Sequence, residues 1–208
     1  MALVVGSGAF RRMKSLHSLL AVILIGALPG LMLGGSARAL VVEQVQEQRY
    51  AVALQPGQKL REALNAATPV REQGRPFHGR TQWGLRSGYG WQRVEGGERC
   101  ALTEVRVLLE AHIVLPELKP LPGPEAEAAF ERYLAALRVH EQGHLDIVRE
   151  AAQRIDEQLA KLDAQPSCEQ LERLARRITA AQLEQARREG ERYDQLTGHG
   201  CTQGACLR

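Results

Sequence analysis

The chain has 208 residues, 44% hydrophobic and 25% charged. That is enough apolar material for one ordinary globular core and too little length for two. The formal charge of +3 comes from 27 Lys and Arg against 24 Asp and Glu. Arg11, Arg12, Lys14 and Arg38 lie in a leader-like segment without acidic residues, so the remaining 23 basic side chains nearly balance the 24 acidic ones. A near-neutral domain has no bulk electrostatic reason to seek nucleic acid or an anionic membrane.

The N-terminus predicts a secretory signal peptide over residues 1–39. Basic residues come first, an apolar run covers residues 19–33, and Ala37-Arg38-Ala39 supplies an A-x-A cleavage site. Pro29 and Gly30 interrupt that run, which at about 15 residues is short of the roughly 20 a spanning helix needs. The expected product is a single domain, residues 40–208, that is periplasmic or secreted with no stable membrane anchor after cleavage. Cys100, Cys168, Cys201 and Cys206 all fall in this exported part, and the even count fits two disulfides in an oxidising compartment. Three pairings exist. We favour Cys100 with Cys168, and Cys201 with Cys206 closing a small C-terminal loop. No C-x-x-C pair points to a cysteine-rich metal site.

From Leu40 to Leu54 the alternation of Tyr50, Val52 and Leu54 predicts a strand, closed by Pro56-Gly57. A short helix with Leu60, Leu64 and Ala67 on one face follows. Trp83, Leu85, Tyr89 and Trp91 alternate across a second strand, Thr81 to Trp91, as an aromatic row best read as core packing rather than a substrate-binding face. From Leu102 to Leu115, Val105, Val107, Leu109, Ala111 and Ile113 point one way while Glu104, Arg106, Glu110 and His112 point the other. This is a strand with one wet face. If it lay at a sheet edge it would accept an extended peptide by strand addition. His112 is expected to be an ordinary wet-face residue.

A proline-rich connector leads to a helix over about Pro124 to Leu162. Its apolar stripe runs through Phe130, Tyr133, Leu134, Leu137, His140, His144, Ile147, Val148, Ala151, Ile155, Leu159 and Leu162. Asp163 to Pro166 breaks the pattern, and Ser167 with Gln170 resembles a capping box that opens a second, antiparallel helix. The expected fold is α+β: a small N-terminal antiparallel or mixed sheet followed by a long antiparallel helix hairpin.

Inside the first long helix, His140-Glu141-Gln142-Gly143-His144 spells H-E-x-x-H. Residues four apart share a helix face, so both imidazoles can reach one metal ion with Glu141 beside them as general base. Two histidines on a buried stripe would otherwise need two separate explanations. Gly143 costs the helix about 1 kcal/mol against alanine, which signals close approach of another segment. Catalytic zinc takes three protein ligands and keeps a fourth position open. His199, flanked by Gly198 and Gly200 in a tail expected to fold back over the site, is the first choice for the third. Asp194 and Glu189 are the alternatives, Glu189 because a tight hairpin turn near Gln165 would set residue 188 level with the motif. Tyr193 is a candidate oxyanion donor, and Asp146 a candidate orienter of a ligand histidine.

With these residues the chain resembles a bacterial family of predicted secreted zinc-dependent proteases. The resemblance rests on H-E-Q-G-H-L-D-I at His140 to Ile147 and on Tyr193-Asp194, Thr197 and His199-Gly200. Upstream it rests on Gly79, Thr81, Trp83, Cys100 and a strand ending at Pro116. It implies a zincin-like metallopeptidase holding Zn2+, with zinc-bound water hydrolysing a peptide bond of a peptide or protein substrate in the cell envelope. The alternative is a non-catalytic periplasmic binding or assembly module whose metal is structural.

Overall fold

The computed structural model describes residues 38–94, 96–120 and 122–207. The apolar run of the predicted leader lies outside the described residues, and the expected cleavage bond after Ala39 falls two residues into the first strand. In chain order the elements are β1 (Arg38–Val52), α1 (Leu60–Ala67), β2 (Arg71–Glu72), β3 (Arg75–Pro76), β4 (Arg80–Arg93), β5 (Cys100–Leu118), α2 (Pro124–Ala160) and α3 (Cys168–Thr197). A 3-10 turn, Cys201–Gln203, follows. This is an α+β fold with a mixed sheet and a long helix hairpin. Among the described residues no helix is long and apolar enough to cross a membrane.

The main sheet has the order β1-β5-β4, with β1 parallel and β4 antiparallel to β5. β5 is therefore central, and its ladder is filled on both sides along most of its length. The expectation that this strand could take up a peptide is thereby corrected, because a filled ladder has no free N–H or C=O groups to offer. β4 and β1 are the edges. Alternation along β5 is otherwise as expected: Val105, Val107, Leu109, Ala111 and Leu115 are buried, whereas Glu104, Arg106 and His112 are exposed. The buried row packs with Leu134, Leu137, Leu145, Val148 and Ile155 of α2 in one core. Each fully buried aliphatic side chain there contributes about 1.5–3 kcal/mol. On β4, Leu85 is buried and Trp83 and Tyr89 are half-buried against the core. A register shift at Gly90/Trp91 breaks the alternation, and Trp91 is left 45% exposed with its indole N–H donating to Glu172.

Pro124 stands in the first turn of α2, where its missing N–H costs nothing. The Ser167 side chain caps α3 by accepting from the Gln170 N–H. Between the helices the chain does not turn tightly. Gln165 and Cys100 exchange two backbone hydrogen bonds, and a disulfide joins Cys100 to Cys168. This detour to the start of β5 sets α3 about six residues, roughly 9 Å at 1.5 Å per residue, out of the register a tight turn would give. Arg154 consequently meets Gln182 and Glu189, and His144 meets Asp194.

Candidate metal centre

α2 carries both motif imidazoles one turn apart on the face it turns to α3. His140 is 5% exposed, and its Nε2 lies 3.1 Å from Asp194 Oδ1. His144 Nε2 lies 3.1 Å from the same oxygen. The ligand atoms of His140, His144 and Asp194 are all within 4.8 Å of one another. Asp194 is brought here by the last turns of α3. The helix then stops at Gly198, whose left-handed backbone (φ 57°) starts the chain back over α2. His199 follows with φ 52°, 59% side-chain exposure, and its Nδ1 3.5 Å from Asp194 Oδ1. Its ring meets Phe77 edge-on. His199 thus stands beside the cluster, next to Asp194, rather than inside the tightest group.

Glu189, the other alternative, is placed elsewhere. Its Oε2 accepts from Arg154 at 2.9 Å and its Oε1 from Gln185 at 2.8 Å, so both oxygens are committed to holding the helices together. The shifted helix register explains this, since it carries Glu189 past the motif and Asp194 to it. Asp146 is likewise occupied, by Gln142 and Arg149 on the exposed side of α2.

The methyl of an alanine at Gly143 would overlap the ring and hydroxyl of Tyr193. Glycine there permits the close approach the motif hinted at. The Tyr193 ring stacks on His140, with centroids 5.1 Å apart and 11° between planes, and meets His144 edge-on at 5.0 Å. Its hydroxyl accepts a 2.8 Å hydrogen bond from the Gln203 amide. Tyr193 lines a small hollow with Gly143 and Gln203, and it is not among the residues that line the main cleft. In the structure its ring is a plate against both imidazoles, and its hydroxyl is engaged by Gln203.

Glu141 is 4% exposed, and its Oε2 accepts from Thr81 Oγ1 at 2.7 Å. Gly79 lies so near that a Cβ there would stand 2.5 Å from Glu141 Oε1. Gly79 and Thr81 are among the residues on which the family resemblance rests, and both meet Glu141. Burial raises the Glu141 carboxyl, against the Thr81 hydrogen bond and the two imidazoles. For Asp194 burial works upward, but the hydrogen bonds from His140 and His144 outweigh it and hold the carboxyl well below the usual range. Burial by itself would lower His140; its hydrogen bond to Asp194 and the Glu141 charge more than offset that and raise it.

The cluster opens into a cleft of about 970 Å³. One wall is Gly79 with the run Arg80 to Arg86 of edge strand β4, and the opposite wall is the C-terminal half of α3. Exposed His112 reaches its margin. Farther along β4, Ser87 bonds Thr179 and Trp91 bonds Glu172, so α3 leans on that half of the strand.

The donors suit a metal ion. Bonds of about 2.0–2.1 Å place tetrahedral ligands roughly 3.3–3.4 Å apart, and Asp194 Oδ1 stands 3.1 Å from both imidazole nitrogens. Two imidazoles and a carboxylate are also a common zinc donor set. The geometry supports a metal-binding group without naming the metal. Two disulfides, Cys100–Cys168 and Cys201–Cys206, fit an oxidising compartment. No curated protein and no solved structure matches the chain. A family model described as a bacterial protein of unknown function, DUF922, matches residues 47–200, from within β1 through His199 and Gly200. The match spans the sheet, both long helices and every residue of the cluster, and the chain belongs to that family.

Proposed function

We propose that this chain is a metal-dependent peptidase of the bacterial cell envelope, with zinc as its metal. The observation that carries the reading is Glu141: a buried carboxyl beside two imidazoles that share a carboxylate, on the floor of a cleft walled by an edge strand. His140, His144 and Asp194 would hold the ion. When bound, the metal would supply Lewis acidity to a water and to the scissile carbonyl. Glu141 would be the general base for the attacking water and would return the proton to the leaving amine. Its raised pKa suits an acid–base group, and the Thr81 hydroxyl holds its Oε2 in place. The free edge of β4 from Arg80 to Arg86 lies along the cleft, and an extended peptide can pair with it. The substrate would then be an unfolded or flexible segment, since only extended backbone can add to a strand.

His199 favours a second reading. With its Nδ1 3.5 Å from Asp194 Oδ1, it stands near enough to complete a four-donor set, and closed sets of four are the mark of structural zinc. The protein would then be a binding or assembly module. Glu141→Gln separates the two. The peptidase reading expects this variant to keep its zinc and lose at least a hundredfold in cleavage of a quenched peptide library or of denatured protein. Cleavage by Glu141→Gln at the wild-type rate would refute it. His199→Ala that abolishes zinc uptake as fully as Asp194→Ala would move the structural reading to the front.

A further inference from the structure

The C-terminal residues hold the far side of the candidate metal centre. His140 Nδ1 donates to Gln203 Oε1 at 3.0 Å. This bond places the ring proton on Nδ1 and leaves Nε2, the nitrogen facing Asp194, free to bind a metal. The same amide donates from Nε2 to the Tyr193 hydroxyl, and the Tyr193 ring lies flat against His140. One glutamine thus fixes both the edge of the imidazole and the plate it rests on.

Gln203 ends the 3-10 turn Cys201–Gln203, and the Cys201–Cys206 disulfide closes the loop around it. The loop is seated at its base. Ala205 is 9% exposed, its N–H bonds the Gly200 carbonyl at 3.0 Å, and a Cβ on Gly200 would come within 3.1 Å of the His140 ring. Both cysteines are exposed. The family match ends at residue 200, so the family pattern supplies the ligands while residues beyond it support one of them.

We propose that the disulfide-closed loop Cys201–Cys206 is the outer support of the metal centre, with Gln203 as a positioning residue that orients His140. This rests on the metal-binding reading above. The loop acts by limiting where the Gln203 amide can go. In a six-residue ring anchored at Ala205, Oε1 has little room to leave Nδ1, whereas in an open tail it would exchange with water. Beyond the chain-entropy stabilisation that any disulfide gives, what the loop changes is affinity for the ion.

The test measures Zn2+ affinity by competition with a chromophoric chelator, and the visible spectrum of the Co2+ form, on the oxidised protein. Gln203→Ala is expected to weaken Zn2+ binding by about 10- to 100-fold and to alter the Co2+ spectrum, with the urea midpoint of the metal-free protein little changed. Gln203→Glu keeps an acceptor for Nδ1–H and is expected to recover most of the affinity. Cys201→Ser/Cys206→Ser leaves every contacting side chain in place and is expected to bind several-fold more weakly than wild type. Wild-type affinity in both Gln203→Ala and the double serine variant would overturn the inference while leaving the metal reading intact. Wild-type protein that takes up neither Zn2+ nor Co2+ overturns the metal reading itself, and this inference with it.

Discussion

Gly143→Ala sets two effects of opposite sign against each other. In an open helix interior, alanine in place of glycine stabilises by about 1 kcal/mol. At position 143 the new methyl would overlap the Tyr193 ring and hydroxyl, and overpacking of this kind typically costs about 1–3 kcal/mol. The expected balance is a net loss of about 1 kcal/mol, opposite to what helix propensity alone predicts. The ring cannot yield without consequence, because it stacks on His140 and abuts His144. Zinc affinity should therefore fall as well, by about tenfold if both imidazoles lose their support. Urea unfolding of the metal-free, oxidised protein reads the first effect. With a slope of about 2 kcal/mol per molar, the midpoint should drop by about 0.5 M. A midpoint that rises by a similar amount, with zinc uptake unchanged, would show that Tyr193 does not press on this helix and that Gly143 needs another explanation.

The site's charges predict how stability follows pH without metal. The carboxyl of Asp194 is depressed, so its contribution is present above the ordinary carboxylate range and is lost as pH falls through its native value. His140 and Glu141 are raised, so their contributions are present below their ordinary values of 6.5 and 4.5 and are lost as pH rises through the folded ones. Metal-free protein should thus melt at a lower temperature at pH 8 than at pH 5.5. Excess zinc should reverse the order, because imidazoles must shed their protons to bind it; thermal melts at the two pH values decide, and metal-free protein that gains stability on going to pH 8 would contradict the assignment. For the disulfides, chain entropy scales with the loop closed. Replacing Cys100 and Cys168, 68 residues apart, by serine should cost about 4 kcal/mol, against about 2 kcal/mol for Cys201 and Cys206, 5 apart. Equal losses in chemical denaturation would count against that account.

What could be read from the sequence was local. The β5 alternation, the α2 stripe and the Ser167 cap depend on neighbours within one or two turns, and each stands in the structure as its spacing implies. Gly143 was informative because glycine inside a helix carries a cost that a close contact explains. Sheet order was not legible, since alternation says which face of β5 is buried but not which strands flank it. The position of Asp194 between the two imidazoles was not legible for a related reason. It depends on the register between two long helices, and that register is set by Gln165 reaching across to Cys100, a contact no helical periodicity encodes. Tyr193 was recognised as a site residue, but the direction of its hydroxyl follows from Gln203, ten residues later in a turn with no periodic signal.

The two long helices are fastened at opposite ends. Near the start of α3 the Cys100–Cys168 disulfide ties it to the sheet, and near its end His140, His144 and Asp194 tie it to α2. If the cluster holds the proposed ion, oxidation and metal supply govern different halves of one hairpin. An oxidised chain deprived of metal would keep its helices aligned at the disulfide end and begin to fray at the other, where the cleft lies. A chain loaded with metal but reduced would be held at the cleft and loosened at the sheet. On the metal-binding proposal, assembly of the cleft wall would be the last step of maturation, completed when the ion arrives, and a partly matured chain would have a formed core but an unfinished groove.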